Sequence, residues 1–173
     1  MDFTGLVVPV PSVDWLVLDR RPASGGLWVP AHVTLIAPFV PPDDLTDGLV
    51  AELATLFSDV VPFSFALRET AEFPDGTVYL APEPSAPFRQ LTHALAKAFP
   101  EYPPYEGRFE TVVPHVTVPL LDHESVDDVA RLVAEHEERQ GPPRGYAQEA
   151  QLLVVRDDDL DVRAEFPFGM AAA

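Results

Sequence analysis

The tripeptide His-Val-Thr occurs twice, at His32-Val33-Thr34 and His115-Val116-Thr117, each time inside an apolar run. Ala31 and Leu35-Ile36 flank the first copy; Pro114 and Val118-Pro119 flank the second. In an extended chain alternate side chains point to opposite faces. Each copy therefore sets one His and one Thr on one face of a strand, and Val33, Leu35, Val116 and Val118 fall on the other. Polar groups left in a core without partners cost about 1–3 kcal/mol each, so the two strands should border a polar cleft. The doubled pattern, a weak internal repeat in element order, allows two equivalent strands to face each other across an approximate two-fold axis.

The segments around the two copies fit that constraint. Gly5 to Val10 reads as a strand, and Val13 to Leu18 as a short helix or a continued strand. After a loop from Arg20 to Gly26, Ala31 to Ala37 is expected as the first motif strand. Asp43 to Ser58 spaces Leu45, Leu49, Leu53 and Phe57 four apart, a helical stripe with Asp43 and Asp44 in its first turn. Phe63 to Arg68 and Thr77 to Ala81 are expected as strands joined through Pro74-Asp75-Gly76. In the second half, Ser85 to Phe99 reads as a helix with Phe88, Leu91, Leu95 and Ala98 inward, and Val112 to Val118 as the second motif strand. Ser125 to Arg139 is expected as a helix opened by a Ser125/Asp128 capping box. Gln148 to Val155 and Val162 to Phe166 form the last strand pair about the Arg156-Asp157-Asp158-Asp159 turn, and Met170 to Ala173 a frayed end. The expectation is an α+β fold, a single domain over residues 1–173. Two pseudo-symmetric lobes carry the motifs at 32–35 and 115–118, with two mainly antiparallel sheets lining a central cleft and helices outside.

Eleven Lys and Arg against 28 Asp and Glu leave a net charge of -17. Wrapping a nucleic-acid backbone needs cations to displace counterions, so no extended nucleic-acid binding is expected and any such substrate should be small or held at one end. The absence of Cys excludes disulfides, thiolate metal sites and cysteine nucleophiles. Apolar stretches such as Leu6 to Pro11 and Val112 to Leu121 fall short of the roughly 20 residues of a membrane span, and Met1-Asp2-Phe3-Thr4 has no basic region like that of a signal peptide. A soluble, cytoplasmic, monomeric protein is expected.

Two imidazoles and two hydroxyls, with no acidic residue adjacent to either motif, suit attack on a phosphodiester without a metal or cofactor. One neutral imidazole takes a proton from the attacking oxygen and the other, as imidazolium, protonates the leaving oxygen. Thr34 and Thr117 would donate to the non-bridging phosphate oxygens, and the rate would be bell-shaped in pH. The competing accounts are a pair of satisfied core histidines and a zinc site completed by His123; both are disfavoured by the duplication and by the spacing. Arg108, seven residues before His115, is a candidate for binding a terminal phosphate bidentately, or equally a surface ion pair. Trp28, Phe39, Tyr102 and Tyr105 flank the motifs, where one could stack on a base, although packing is the favoured role for each. His136 is expected at a core boundary and His93 in solvent.

Through the motifs at His32 to Leu35 and His115 to Val118, the opening Leu6-Val7-Val8-Pro9-Val10-Pro11 strand and the order of its elements, the sequence resembles the two-histidine (2H) phosphoesterase superfamily, in its bacterial 2'-5' RNA ligase-like branch. The resemblance implies a bilobal α+β duplication with the motifs facing one another. It implies metal-independent action on 2',3'-cyclic phosphates of nucleotides or RNA ends and on related 2'-5' linkages. It also implies His32 and His115 as general acid and base, with His115 favoured as base, and Thr34 and Thr117 as phosphate ligands. Two alternatives stay open: a module that binds a phosphate or nucleotide in the same cleft without turnover, and a phosphodiesterase for another small cyclic phosphate.

Overall fold

The computed structural model describes residues 2–20, 28–157 and 159–169. Its strands form two four-stranded sheets in which every pairing is antiparallel. The first comprises β1 (Phe3–Pro9), β2 (His32–Ile36), β7 (Glu149–Arg156) and β8 (Asp159–Pro167) in the order β2-β1-β7-β8. The second comprises β3 (Phe63–Glu72), β4 (Val78–Glu83), β5 (Val116–Thr117) and β6 (Arg144–Ala147) in the order β5-β4-β3-β6. Each motif strand is thus outermost in its sheet, β2 beside the apolar β1 and β5 beside β4. The two sheets approach one another at β2 and β5.

Four α-helices accompany the sheets among the described residues. The Val13 to Leu18 segment is helical: a 3₁₀ turn, Pro11–Val13, runs into α1 (Asp14–Val17), and the Asp14 carboxylate accepts the Ala31 N–H at 2.9 Å. This bond ties α1 to the residue before His32. The helix expected from Asp43 begins later, as α2 (Asp47–Ser58), because Thr46 caps it by accepting the Leu49 N–H at 3.1 Å. Pro42–Asp44 forms a separate 3₁₀ turn and Leu45 is extended. In α3 (Ala86–Ala98) Phe88, Leu91 and Leu95 are buried as expected, but Ala98 is exposed and Phe99 takes the inward place. The Thr92 hydroxyl of this helix donates to the Leu35 carbonyl at 2.9 Å, joining α3 to the first motif strand. In α4 (Val126–Gln140) both bonds of the Ser125/Asp128 capping box are present.

The second motif strand is much shorter than Val112 to Val118. Prolines at 114 and 119 bracket β5, and a proline has no N–H for the ladder. The Pro74-Asp75-Gly76 turn joins β3 and β4 as expected; Asp75 accepts the Thr77 N–H at 2.9 Å, and Gly76 takes the turn's positive φ of 88°. Strand β6 has no apolar alternation to announce it. Its Gly145 lies under Phe65, so that a Cβ there would meet the ring at 2.1 Å.

Leu6, Val8, Leu53, Phe57, Leu80, Phe88 and Leu152, all completely buried, belong to one continuous core. Arg20 forms an ion pair with Glu124, the two side chains only 7% and 12% exposed. It links the segment after α1 to the loop that follows β5. His93 is exposed, and His136 is half-buried with its ring stacked on Trp15 at 4.8 Å. The 21–26 part of the first loop, Asp158 of the acidic turn and the 170–173 end lie outside the described residues. Among those described, no helix is long and apolar enough to cross a membrane.

Candidate active site

Strand alternation sorts the motif side chains as the pattern requires. Val33, Leu35, Val116 and Val118 are buried, while His32, Thr34 and His115 are half-buried and Thr117 is exposed. The outermost place of β2 and β5 leaves the polar faces of both motifs outside the core.

The two histidines are held alike. His32 donates Nδ1–H to the Pro30 carbonyl and His115 donates Nδ1–H to the Val113 carbonyl, each two residues earlier and each at 2.7 Å. A carbonyl oxygen only accepts, so the proton sits on Nδ1 and Nε2 is left as the reactive nitrogen in each ring. Burial pushes the His32 pKa below its ordinary 6.5, against the opposing pull of the Pro30 carbonyl, and the charge of His115 lowers it further. The two imidazoles are therefore near enough to feel one another.

His115 stands in an aromatic setting. Phe73 meets its ring edge-on at 5.0 Å and Tyr79 at 5.6 Å, while Phe73 and Tyr79 stack at 4.1 Å. The pairing of Tyr79 with Thr117 brings them there. A cavity of about 600 Å³ opens beside His115, walled by Phe73, Asp75, Tyr105, Phe109 and Val113 among others. Tyr105 packs edge-on against Phe109 at 5.7 Å. Burial raises the Tyr105 pKa, an effect that Thr34 partly offsets.

Of the aromatic residues flanking the motifs, Phe39 is core, edge-on to Phe99 at 5.3 Å and to Tyr102 at 5.5 Å, and Trp28 is half-buried. Tyr105 alone of the four is among the described walls of the His115 cavity. Arg108 is 72% exposed and ion-paired with Glu106. His123 sits exposed in the turn before α4 at φ 66°. Among the described residues no three His, Asp or Glu side chains are grouped to hold a metal ion. Sequence inspection misses Phe73, Asp75 and Phe109, which come from a hairpin turn and a loop with no periodic signal of their own.

A profile of the 2'-5' RNA ligase superfamily matches residues 20–159. A Bacillus cytotoxicus protein whose name assigns it to the phosphoesterases is 30% identical over 108 residues, 60% of this chain, and the match spans 60% of that relative's own length. The fold is similar to that of TT0787 from Thermus thermophilus, with a TM-score of 0.66 at 20% identity over 98% of this chain and 100% of that one. It is also similar to E. coli LigT, with a TM-score of 0.59 at 15% identity over 98% of each chain in the apo form. For LigT complexed with 3'-AMP the TM-score is 0.56 at 14% identity, over 98% of this chain and 99% of that one.

Proposed function

This chain belongs to the 2'-5' RNA ligase superfamily, and from that membership we propose that it is a phosphoesterase that opens the 2',3'-cyclic phosphate of a nucleotide or RNA end without a metal. The observation that carries the reading is the matched pair of histidines, each oriented by a backbone carbonyl so that Nε2 is free for proton transfer. The likeness to a LigT crystallised with 3'-AMP supports a nucleotide-sized ligand, and the Phe73, Tyr105 and Phe109 walls offer it an aromatic surface. The sheets, each with a motif strand at its border, support a single domain of two pseudo-symmetric lobes.

The burial of His32 favours it, in place of His115, as the base. The lowered pKa of His32 keeps its imidazole neutral near pH 7, which suits a base and not an acid. In the proposed reaction His32 Nε2 takes a proton from water, and the oxygen of that water bonds to phosphorus. The bond from phosphorus to one ribose oxygen breaks, and the His115 imidazolium gives its proton to that leaving oxygen. Thr34 and Thr117 donate to the non-bridging oxygens, where negative charge gathers. The product is a ribonucleotide with one phosphomonoester.

The test is incubation with 2',3'-cyclic AMP in EDTA beside the His32→Ala/His115→Ala double variant, followed by phosphorus NMR. Conversion to a monoester by the parent alone is expected. Equal conversion by the variant, or tight nucleotide binding by the parent with no conversion, overturns the enzymatic reading; the second result establishes a binding module.

A further inference from the structure

The cavity beside His115 opens between two pieces of chain. The β3–β4 hairpin supplies Phe73, Asp75 and Thr77, and the loop before β5 supplies Tyr105 and Phe109. No Lys or Arg is among its described walls, and Arg108 of the same loop is ion-paired with Glu106. Such walls suit an uncharged planar group better than a second phosphate. Phe109 is 60% exposed, so a ring entering the cavity can cover apolar surface that the folded chain leaves in water.

Asp75 is the one carboxylate among the described walls. Its place is fixed: it accepts the Thr77 N–H at 2.9 Å, and the turn beneath it is closed by two further bonds. Phe73 donates its N–H to the Thr77 carbonyl at 2.9 Å, and Gly76 donates to the Phe73 carbonyl at 2.9 Å. The Thr77 N–H also holds the Asp75 carboxyl below the ordinary carboxylate range, so at neutral pH the group is ionised and only accepts hydrogen bonds. Two residues before it, Phe73 meets the His115 ring edge-on at 5.0 Å. His115 and Asp75 thus border one space, with an aromatic ring between them in the chain.

The bases differ in what their Watson–Crick edges present to an acceptor. Guanine offers two adjacent donors, N1–H and the 2-amino group. Adenine and cytosine each set one amino donor beside the lone pair of a ring nitrogen, and uracil sets one N–H between two carbonyls. A carboxylate pairs with two adjacent donors and is repelled by a lone pair beside a single one. Resting on the phosphoesterase reading, we propose that this cavity takes a guanine base and that Asp75 is the residue that selects it, by accepting N1–H and one N–H of the 2-amino group.

The test measures kcat/KM of the full chain and of Asp75→Asn with the 2',3'-cyclic phosphates of guanosine, inosine, adenosine and cytidine. For the parent, the guanosine substrate is expected to exceed the adenosine and cytidine ones about tenfold. Inosine, which keeps N1–H and lacks the 2-amino group, should fall between them. Asparagine keeps an acceptor for the Thr77 N–H, so the melting temperature should stay within about 2 °C. Its amide offers one donor and one acceptor, and the guanosine preference should shrink to about twofold or less. A residue that only shapes the turn would, when replaced, lower the melting temperature and slow all four substrates alike. That result, equal kcat/KM values for the parent, or a guanosine preference that survives in Asp75→Asn overturns the selection by Asp75 and leaves the phosphoesterase reading intact. A parent that turns over none of the four overturns both.

Discussion

His32 and His115 are oriented by the same bond, an Nδ1–H donated to the carbonyl two residues earlier at 2.7 Å. A carbonyl fixes the ring and its tautomer without placing a full negative charge beside it. Among the described residues no carboxylate is set against the desolvation of His32, and burial is the dominant influence on it.

With His32 as base, kcat/KM rises with pH as that ring loses its proton, and the rise is centred below the ordinary 6.5 because the neutral form is favoured. Profiles from about pH 5 to 8 with 2',3'-cyclic AMP check this. The rising limb should vanish in His32→Ala, whose turnover falls at least about a hundredfold. A limb that falls with rising pH in that range and disappears in His32→Ala would instead make His32 the acid.

The Arg20–Glu124 pair predicts a stability effect remote from any substrate. Glu124 also accepts the Leu121 N–H at 3.1 Å, so the carboxylate organises the loop after β5. Arg20→Ala leaves that carboxylate buried without its cation, at a cost of about 3–5 kcal/mol. The melting temperature followed by circular dichroism should drop by about 10 °C. Arg20→Met with Glu124→Gln, which keeps an acceptor for Leu121, should recover most of the loss.

Gly145 lies where the Phe65 ring passes directly over the backbone of β6. Phe65 is itself held edge-on by Phe88 at 5.0 Å, which limits its retreat. Gly145→Ala should therefore destabilise by about 1–3 kcal/mol, measured by urea unfolding. Adding Phe65→Leu should return part of it, since a smaller side chain clears the new methyl.

Charge makes the fourth prediction. At -17 the protein repels substrates in proportion to their own negative charge. Raising salt from about 0.01 to 0.15 M shortens the screening length from about 30 to about 8 Å. The KM for a 2',3'-cyclic nucleotide that also bears a 5'-phosphate should fall severalfold over that range, and much more than the KM for its unphosphorylated counterpart. A KM that rises with salt would reveal a cationic grip, with Arg108 the first residue to substitute.

The parts legible in the sequence are those set by short-range periodicity. Val33, Leu35, Val116 and Val118 are buried because alternation in a strand leaves them no other face, and the Ser125/Asp128 cap forms from residues three apart. Ala98 and Leu45 depart from their stripes because each lies at a helix boundary, where a cap or the next residue decides the end. Strand β6 was hidden because its glycine answers to a ring about 80 residues away in sequence. The cavity walls were hidden for a related reason. Phe73 and Asp75 reach His115 only through the β3–β4 hairpin and the alignment of Tyr79 with Thr117. Tyr105 could be singled out as a loop aromatic, yet its place in the cavity wall depends on a turn with positive φ at Tyr105 and Glu106 that only Gly107 hints at.

The positions of β2 and β5 have a further consequence. The strands run β8-β7-β1-β2 on one side and β5-β4-β3-β6 on the other, so a hydrogen-bonded ladder between β2 and β5 would fuse them into one eight-stranded sheet. That ladder is not formed among the described residues. The proposed centre lies along the gap between β2 and β5, and keeping that gap open is a constraint of its own, since a ladder formed there would bring the two polar motif strands edge to edge and leave no room for a substrate between them.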